Sequence, residues 1–457
     1  MEVLASPEEV VIRNLLIQDK MSRASIGLTL GKSVAVLNFS GELNDKTLQG
    51  MLQGNELPAK WMKGNLQARI RLDQLWFSTA DGDMEGRDIH FTLNPIGRVE
   101  IDRVSLEAAK SNVRINSAAL RWRNRPFSFS GVASVSPKGI EFDMDLSTQT
   151  LDFDTVSQAL LRKDEKSGAE TTGATQTPPV KGVIRFKTDR FAFGGFTWMP
   201  LQANISFDKE GVTIQTLRGA VCGVSTLGSF KISDQGLEIE ARPTALNQEL
   251  QPTILCITDK KTDITGVYTL NGQLRSKGKS EDILRSLQGD IRFTARDGQI
   301  LYYSILAKVF TFLNVTEVFR GKLPDFTGEG FLYDSITLDG QIRDGKLALK
   351  EFLIDGRSVD LIASGEVDLA SQKLDVKVLV APFKTIDAIV KIMPLIGYIF
   401  GGNLIVVPVR VSGDLRDPNV TVLSPSAVGS ELIAPFKRII NLPFKIIDLF
   451  LPSQQKE

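Results

Sequence analysis

The sequence predicts a mainly β protein: an elongated, curled antiparallel β-meander, open or taco-like in section, with a few short capping helices and an amphipathic C-terminal helix. Three observations lead there. Apolar and polar residues alternate in segment after segment, which puts one kind of side chain on each face of a strand. Glycine-containing turn signals punctuate the segments, and glycine supplies the positive φ that tight hairpins require. Helical periodicity is confined to short stretches, too little to cover a sheet of many strands. With 457 residues, 42% hydrophobic and 24% charged, the composition is that of a folded chain.

Taken in order, the opening "MEVLASPEEVVIRNLLIQDK" shows neither an export signal nor a membrane helix, so the chain is either cytoplasmic or begins inside a longer one. "GLTLGKS", 27–33, resembles a phosphate loop but is one residue short between its glycines, and reads as a hairpin. A weak helical signal lies at 44–53. "GIEFDMDLS" is the cleanest strand, with Ile140, Phe142, Met144 and Leu146 opposite Glu141, Asp143 and Asp145. A helix is expected over 154–162. The polar stretch "RKDEKSGAETTGATQTPP" follows, and it lacks the apolar surface to offset its ordering entropy. We therefore expect an N-terminal β-rich segment at 1–162, a flexible linker at 163–180, a β-groove domain at 181–451 and a tail at 452–457.

Beyond the linker, alternation puts Ile205 and Phe207 on one face, then Leu237 and Ile239, then Ile291 and Phe293, then Leu374, Val376, Val378 and Val380. Turns are expected at "SPKG" 136–139, "DKEG" 208–211 and "SDQG" 233–236, at Asn271–Gly272, and at the Asp-Gly pairs 297–298, 344–345 and 355–356. Helices are expected over 280–288 and 300–315. Eighteen uncharged residues separate Lys391 from Arg410, the lower limit for a membrane span. Pro394, Gly397 and Gly401–Gly402–Asn403 interrupt them, so the reading is a helix over 383–400, a turn and a strand. Pro408 lacks a ladder donor and suits an edge strand. That helix either plugs the groove end or rests on a membrane. In the C-terminal helix, 430–450, Leu432, Ile433, Phe436, Ile439 and Ile440 share a face, with Lys437, Arg438 and Lys445 available to anionic head groups. Packing on the protein's own sheet fits that helix equally well.

Function classes narrow by chemistry. Lys plus Arg equals Asp plus Glu at 54 each, so no basic field attracts nucleic acid. His90 is the single histidine, which excludes multi-histidine metal sites, and in a strand-like run such a residue reads as structural. No catalytic residue, metal or cofactor is expected. Cys222 and Cys256 read either as two buried thiols or as a bonded pair. A long sheet with one apolar face must close, pair with a second sheet, or stay a trough that an elongated apolar guest fills; acyl chains suit the last case.

The stretches "TGVYTLNGQLRSKGKSEDILRSLQGDIRFTARDGQI", "LPDFTGEGFLYDSITLDGQIRDGKLALKEFLIDGRSVDLIASGEVDLASQKLDVKVLVAP" and "IMPLIGYIFGGNLIVVPVRVSGDLRDPNVTVLSP" together resemble the C-terminal domain of the AsmA family of bacterial envelope proteins, with its YhdP-like and TamB-like relatives. The resemblance implies a periplasmic lipid-binding and transfer protein, associated with the inner membrane of a Gram-negative cell, whose groove carries phospholipids between the two membranes. For such a groove the alternation sets the expected lining: Ile205, Phe207, Leu237, Ile239, Ile291, Phe293, Leu374, Val376, Val378 and Val380. The resemblance also implies contact with membrane surfaces and with envelope proteins at either end, and a Cys222–Cys256 disulfide. The family's N-terminal membrane helix is not visible in these residues. A scaffold that aids outer-membrane protein assembly without conducting lipid is the competing reading.

Overall fold

The computed structural model describes residues 3–6, 8–47, 59–74, 77–93, 97–136, 139–155, 179–258, 263–301, 309, 330–357, 359–382, 398–400 and 404–423. Strands dominate them, as alternation requires. The chain forms two compact units: Met1–Val221 with Leu227–Asp234, and Cys222–Thr226 with Gln235–Glu457.

The first unit holds β1 (Val3–Ala5), β2 (Glu9–Gln18), β3 (Arg23–Gly31), β4 (Val34–Leu43), β5 (Trp61–Arg71), β6 (Thr79–Leu93), β7 (Gly97–Lys110), β8 (Asn112–Trp122), β9 (Arg125–Ser136), β10 (Gly139–Asp152), β11 (Val180–Phe193), β12 (Phe196–Asp208) and β13 (Gly211–Val221). Each pairs with the next, and among the described residues no pairing joins the first strands to the last, so the sheet is open. One step departs from the antiparallel meander. β10 and β11 run parallel in register, from Ile140↔Val180 to Asp152↔Ala192. A tight turn forces antiparallel neighbours, whereas the long connection 153–179 lets the chain return to its starting side. The expected linker, of which 163–178 lie outside the described residues, thus falls between adjacent strands of one unit.

β14 (Val224–Ser233) contributes residues to both units. The second unit then runs through β15 (Gly236–Glu249), α1 (Leu250–Thr258), β16 (Asp263–Ile264), β17 (Val267–Gly278), a 3-10 turn (Ser280–Asp282), β18 (Gln288–Leu301), β19 (Phe331–Arg343), β20 (Lys346–Gly356), β21 (Val359–Asp368), β22 (Lys373–Pro382), β23 (Tyr398–Phe400), β24 (Leu404–Asp414) and β25 (Pro418–Val422). Its ladder is antiparallel, in the order β15–β17–β18–β19–β20–β21–β22–β24–β25, with β16 on β18 and β23 on β24. The core of this unit centres on Tyr333, Val380 and Val409, each 0% exposed. The Tyr333 hydroxyl donates to the Thr265 carbonyl at 2.5 Å. Burial pushes this phenol up to about 12, and the Asp297 carboxylate adds to the shift.

Several expectations are corrected. Asn271–Gly272 and Asp297–Gly298 lie inside β17 and β18 rather than in turns. Gly298 is there for close approach, because the Tyr333 phenol occupies the space where a Cβ would sit. Asp344–Gly345 does join a hairpin, β19 to β20. Pro408 belongs to an interior strand, since β24 pairs with both β22 and β25. Its carbonyl accepts from Leu423, just past the end of β25, so its ring nitrogen faces a side where the ladder has stopped. The helix expected over 383–400 does not include Tyr398–Phe400, which form a strand whose aromatic and β-branched residues pair with Leu404–Val406; 383–397 lie outside the described residues. Over 280–288 only the 3-10 turn forms, and Gln288 already belongs to β18. Ile300 and Leu301 close β18, and Val309 is helical. The rest of 300–315 and all of 430–450, with Leu432, Ile433, Phe436, Lys437, Arg438, Ile439, Ile440 and Lys445, lie outside the described residues. No helix among the described residues is long and apolar enough to cross a membrane.

Candidate functional site

Residues paired across a ladder point to the same face, so register converts alternation into rows that run from strand to strand. In the first unit one row reads Leu15, Ile26, Phe39, Leu66, Gly82, Ala108, Val113, Ala133, Phe142, Gly182, Phe207, Val212. The row beside it reads Ile17, Ala24, Gly41, Gly64, Met84, Leu106, Ile115, Gly131, Met144, Ile184, Ile205, Ile214. Both cross every strand from β2 to β13 without one charged or polar side chain.

Two further rows complete the surface. Leu43, Met62, Gly86, Val104, Ala118, Phe129, Leu146, Phe186, Ala203 and Thr216 form one. Ile89, Ile101, Leu120, Phe127, Thr148, Thr188, Leu201 and Gly219 form the other. From β6 to β13, four rows two residues apart make an uncharged band roughly 20 Å across. Ile115 and Ala118, an odd number of residues apart, share the face because a register shift between them takes up the extra residue.

The opposite face is the reverse in chemistry. The row behind the first two reads Ser25, Ser40, Asn65, Asp83, Glu107, Arg114, Val132, Asp143, Val183, Ser206, Thr213. Ion pairs lace it: Arg185 lies 2.6 Å from Asp143 and 2.9 Å from Asp145. The hydrogen bond from Arg185 holds the Asp145 carboxyl below the usual carboxylate range. In the second unit Arg410 does the same to Asp375, at 2.6 Å.

The apolar face of the first unit is neither sealed nor bare. Met84, Leu106, Val113, Ile115, Ala133, Phe142, Met144, Ile184, Ile205 and Phe207 are all half-buried. A concavity of about 1060 Å³ spans β6 to β11; its lining takes in Met84, Leu106, Ala108, Val113 and Phe142, with Asp83, Glu107, Arg114 and Asp143 from the polar rows.

The second unit repeats the pattern but fills it. Ala245, Leu270, Phe293, Leu338, Phe352, Ala363, Val378, Val409 and Val422 make one row. In the next, Tyr268, Ala295, Ile336, Ile354, Leu361, Val380 and Val407 are all buried.

The residues expected to line a groove divide accordingly. Ile205 and Phe207 sit in the first two rows of the first unit. Leu237, Ile239, Ile291, Phe293, Leu374, Val376, Val378 and Val380 share one face of the second, where Val376 and Val380 are buried at 6% and 0% exposure. Sequence reasoning did not assign the rows from Leu15 to Met144 to the lining, although the alternation of "GIEFDMDLS" already set Phe142 and Met144 on that face.

Cys222 and Cys256 are bonded, with Cα atoms 5.5 Å apart. The bridge holds α1, which also anchors through buried Thr253: its hydroxyl donates to the Cys222 carbonyl and shares a hydrogen bond with the Tyr268 hydroxyl, both at 3.0 Å. Among the described residues no group of His, Cys, Asp and Glu is placed to hold a metal ion.

Comparison with known proteins agrees with this geometry. Over 115 residues the chain is 29% identical to the intermembrane phospholipid transporter YhdP of Escherichia coli strain K12. The alignment covers 22% of this chain and 9% of that protein, so the chain spans a small part of its curated relative. No solved structure matches. The profile described as YhdP protein matches residues 96–420, which take in β7 to β24. The chain belongs to the YhdP family.

Proposed function

We propose that this chain binds phospholipid by its acyl chains along the apolar face of the first unit, and passes it between the inner and outer membranes of a Gram-negative envelope. One observation carries the reading: two rows without a charge run unbroken across β2 to β13, and from β6 to β13 all their side chains but Ala108 are left only half-buried. Each CH₂ moved from water onto such a surface is worth roughly 0.8 kcal/mol, while the headgroup needs only solvent at the open side. The name of the curated relative supports the same ligand, and a disulfide suits the oxidising periplasm. Membrane surfaces, and envelope proteins at either end, are the partners this reading implies.

Native mass spectrometry of the purified chain tests it. Bound phospholipid is expected, and Met144→Asp, at a half-buried position of the central row, is expected to strip it while far-UV circular dichroism is unchanged. A lipid-free wild type, or a folded variant with undiminished lipid, sinks the proposal. The filled face of the second unit, with Val380 and Val409 at 0% exposure, favours a scaffolding part for that unit in envelope assembly. In that case truncating the second unit's buried valines lowers stability without changing lipid content.

A further inference from the structure

The hairpin between β11 and β12 ends in "FAFGGFTWMP", and no charge occurs between Arg190 and Asp208. Gly194 and Gly195, at φ 58° and 82°, make its turn, and Phe193 pairs with Phe196 across it. Phe193, Phe196 and Met199 are 45%, 43% and 57% exposed. A water-facing turn is ordinarily polar, and this one is not a loose end: the Asp154 carboxylate accepts from the Gly194 amide at 2.9 Å, fixing the tip.

The tip is joined to the apolar face by touching rings. Phe186, 5% exposed, belongs to the third apolar row. Its ring lies 6.3 Å from Phe191, which lies 6.1 Å from Phe153, which lies 5.5 Å from the exposed Phe193. Trp198 flanks Phe191 at 5.9 Å. Register places the next hairpin turn, Trp122–Arg125, on the same side of the sheet, with Arg123 over the Trp122 ring at 5.0 Å. Apolar rings at the tip with Arg123, Arg125 and Arg190 set back from it match the layering of a lipid interface, acyl chains below and phosphates above.

We propose that this tip is a port: it dips into the acyl region of a lipid layer, and an acyl chain passes along the aromatic path onto the apolar face. The proposal rests on the lipid-binding reading above. Its test uses the full, delipidated chain and vesicles of phosphatidylethanolamine and phosphatidylglycerol with brominated acyl chains. In a chain keeping Trp198 alone (Trp61→Phe, Trp76→Phe, Trp122→Phe), bromolipid is expected to quench Trp198. The triple variant Phe193→Ser, Phe196→Ser, Met199→Ser is expected to load phospholipid about tenfold more slowly or worse, with unchanged lipid content at equilibrium. Loading at the wild-type rate overturns the port and leaves lipid binding standing, and so does a loss of self-association with loading unaltered, which makes the tip a contact between copies. If the triple variant does not fold, unquenched Trp198 during loading is the overturning result. A wild type that never acquires lipid defeats the underlying reading instead.

Discussion

Tyr333 shows how much one side chain settles. It is wholly buried, gives its hydroxyl hydrogen to Thr265, and excludes any side chain at position 298. Tyr333→Phe leaves a buried carbonyl without its donor, and we expect a loss of about 1–3 kcal/mol in urea unfolding at neutral pH. The raised phenol adds a pH signature. Between the ordinary value of 10.0 and about 12 the unfolded chain has lost this proton while the folded one keeps it, so stability falls as pH rises through that window. The wild type is expected to lose about 2–3 kcal/mol more than Tyr333→Phe over that range. Equal slopes for the two proteins contradict this. Asp297–Gly298 was read from sequence as a turn because the dipeptide signals one. What it serves is an aromatic ring thirty-odd positions away, and that contact leaves no trace in the local pattern.

At the scale of elements, α1 was not foreseen. "LQPTILCIT" is short, opens next to a proline and is rich in β-branched residues, so local propensity argues against a helix. Its support is tertiary: the bridge to Cys222 and the hydrogen bonds of Thr253. Closing a loop of sequence separation 34 restrains the unfolded chain by roughly 3–4 kcal/mol in the chain-entropy picture. The paired change Cys222→Ser with Cys256→Ser is expected to lower stability by about that amount, read by urea unfolding, and to speed amide exchange in α1 before the strands of the second unit. Unaltered stability sinks this. The strands themselves were legible, because period-two alternation and a one-sided apolar face constrain each other: a slip of one residue would move Phe142 and Met144 into water.

On the scale of the whole chain, the two units use one sheet chemistry to opposite ends. The first keeps two rows of its apolar band half-open from β6 to β13, while the second closes over Tyr333, Val380 and Val409. Local opening is governed by buried contact, so amides of β19 to β22 and β24 are expected to exchange far more slowly than those of β5 to β9. Hydrogen exchange with mass spectrometry checks this, and equal protection refutes it. The apolar rows were legible from alternation alone. Which unit fills its face was not, because filling depends on which segments fold back upon it. The parallel step from β10 to β11 was equally hidden, since it is decided by how far a connection reaches. That reach sets a leash. Val180 starts beside Ile140 while β10 ends at Asp152, so the two ends that 153–179 joins lie about 40 Å apart at the rise of a strand, a gap that takes at least about 12 extended residues. Natural length variation in this segment should therefore stop near that floor. A shorter tether would force β11 to run the other way and carry the Phe193 tip to the far side of the sheet.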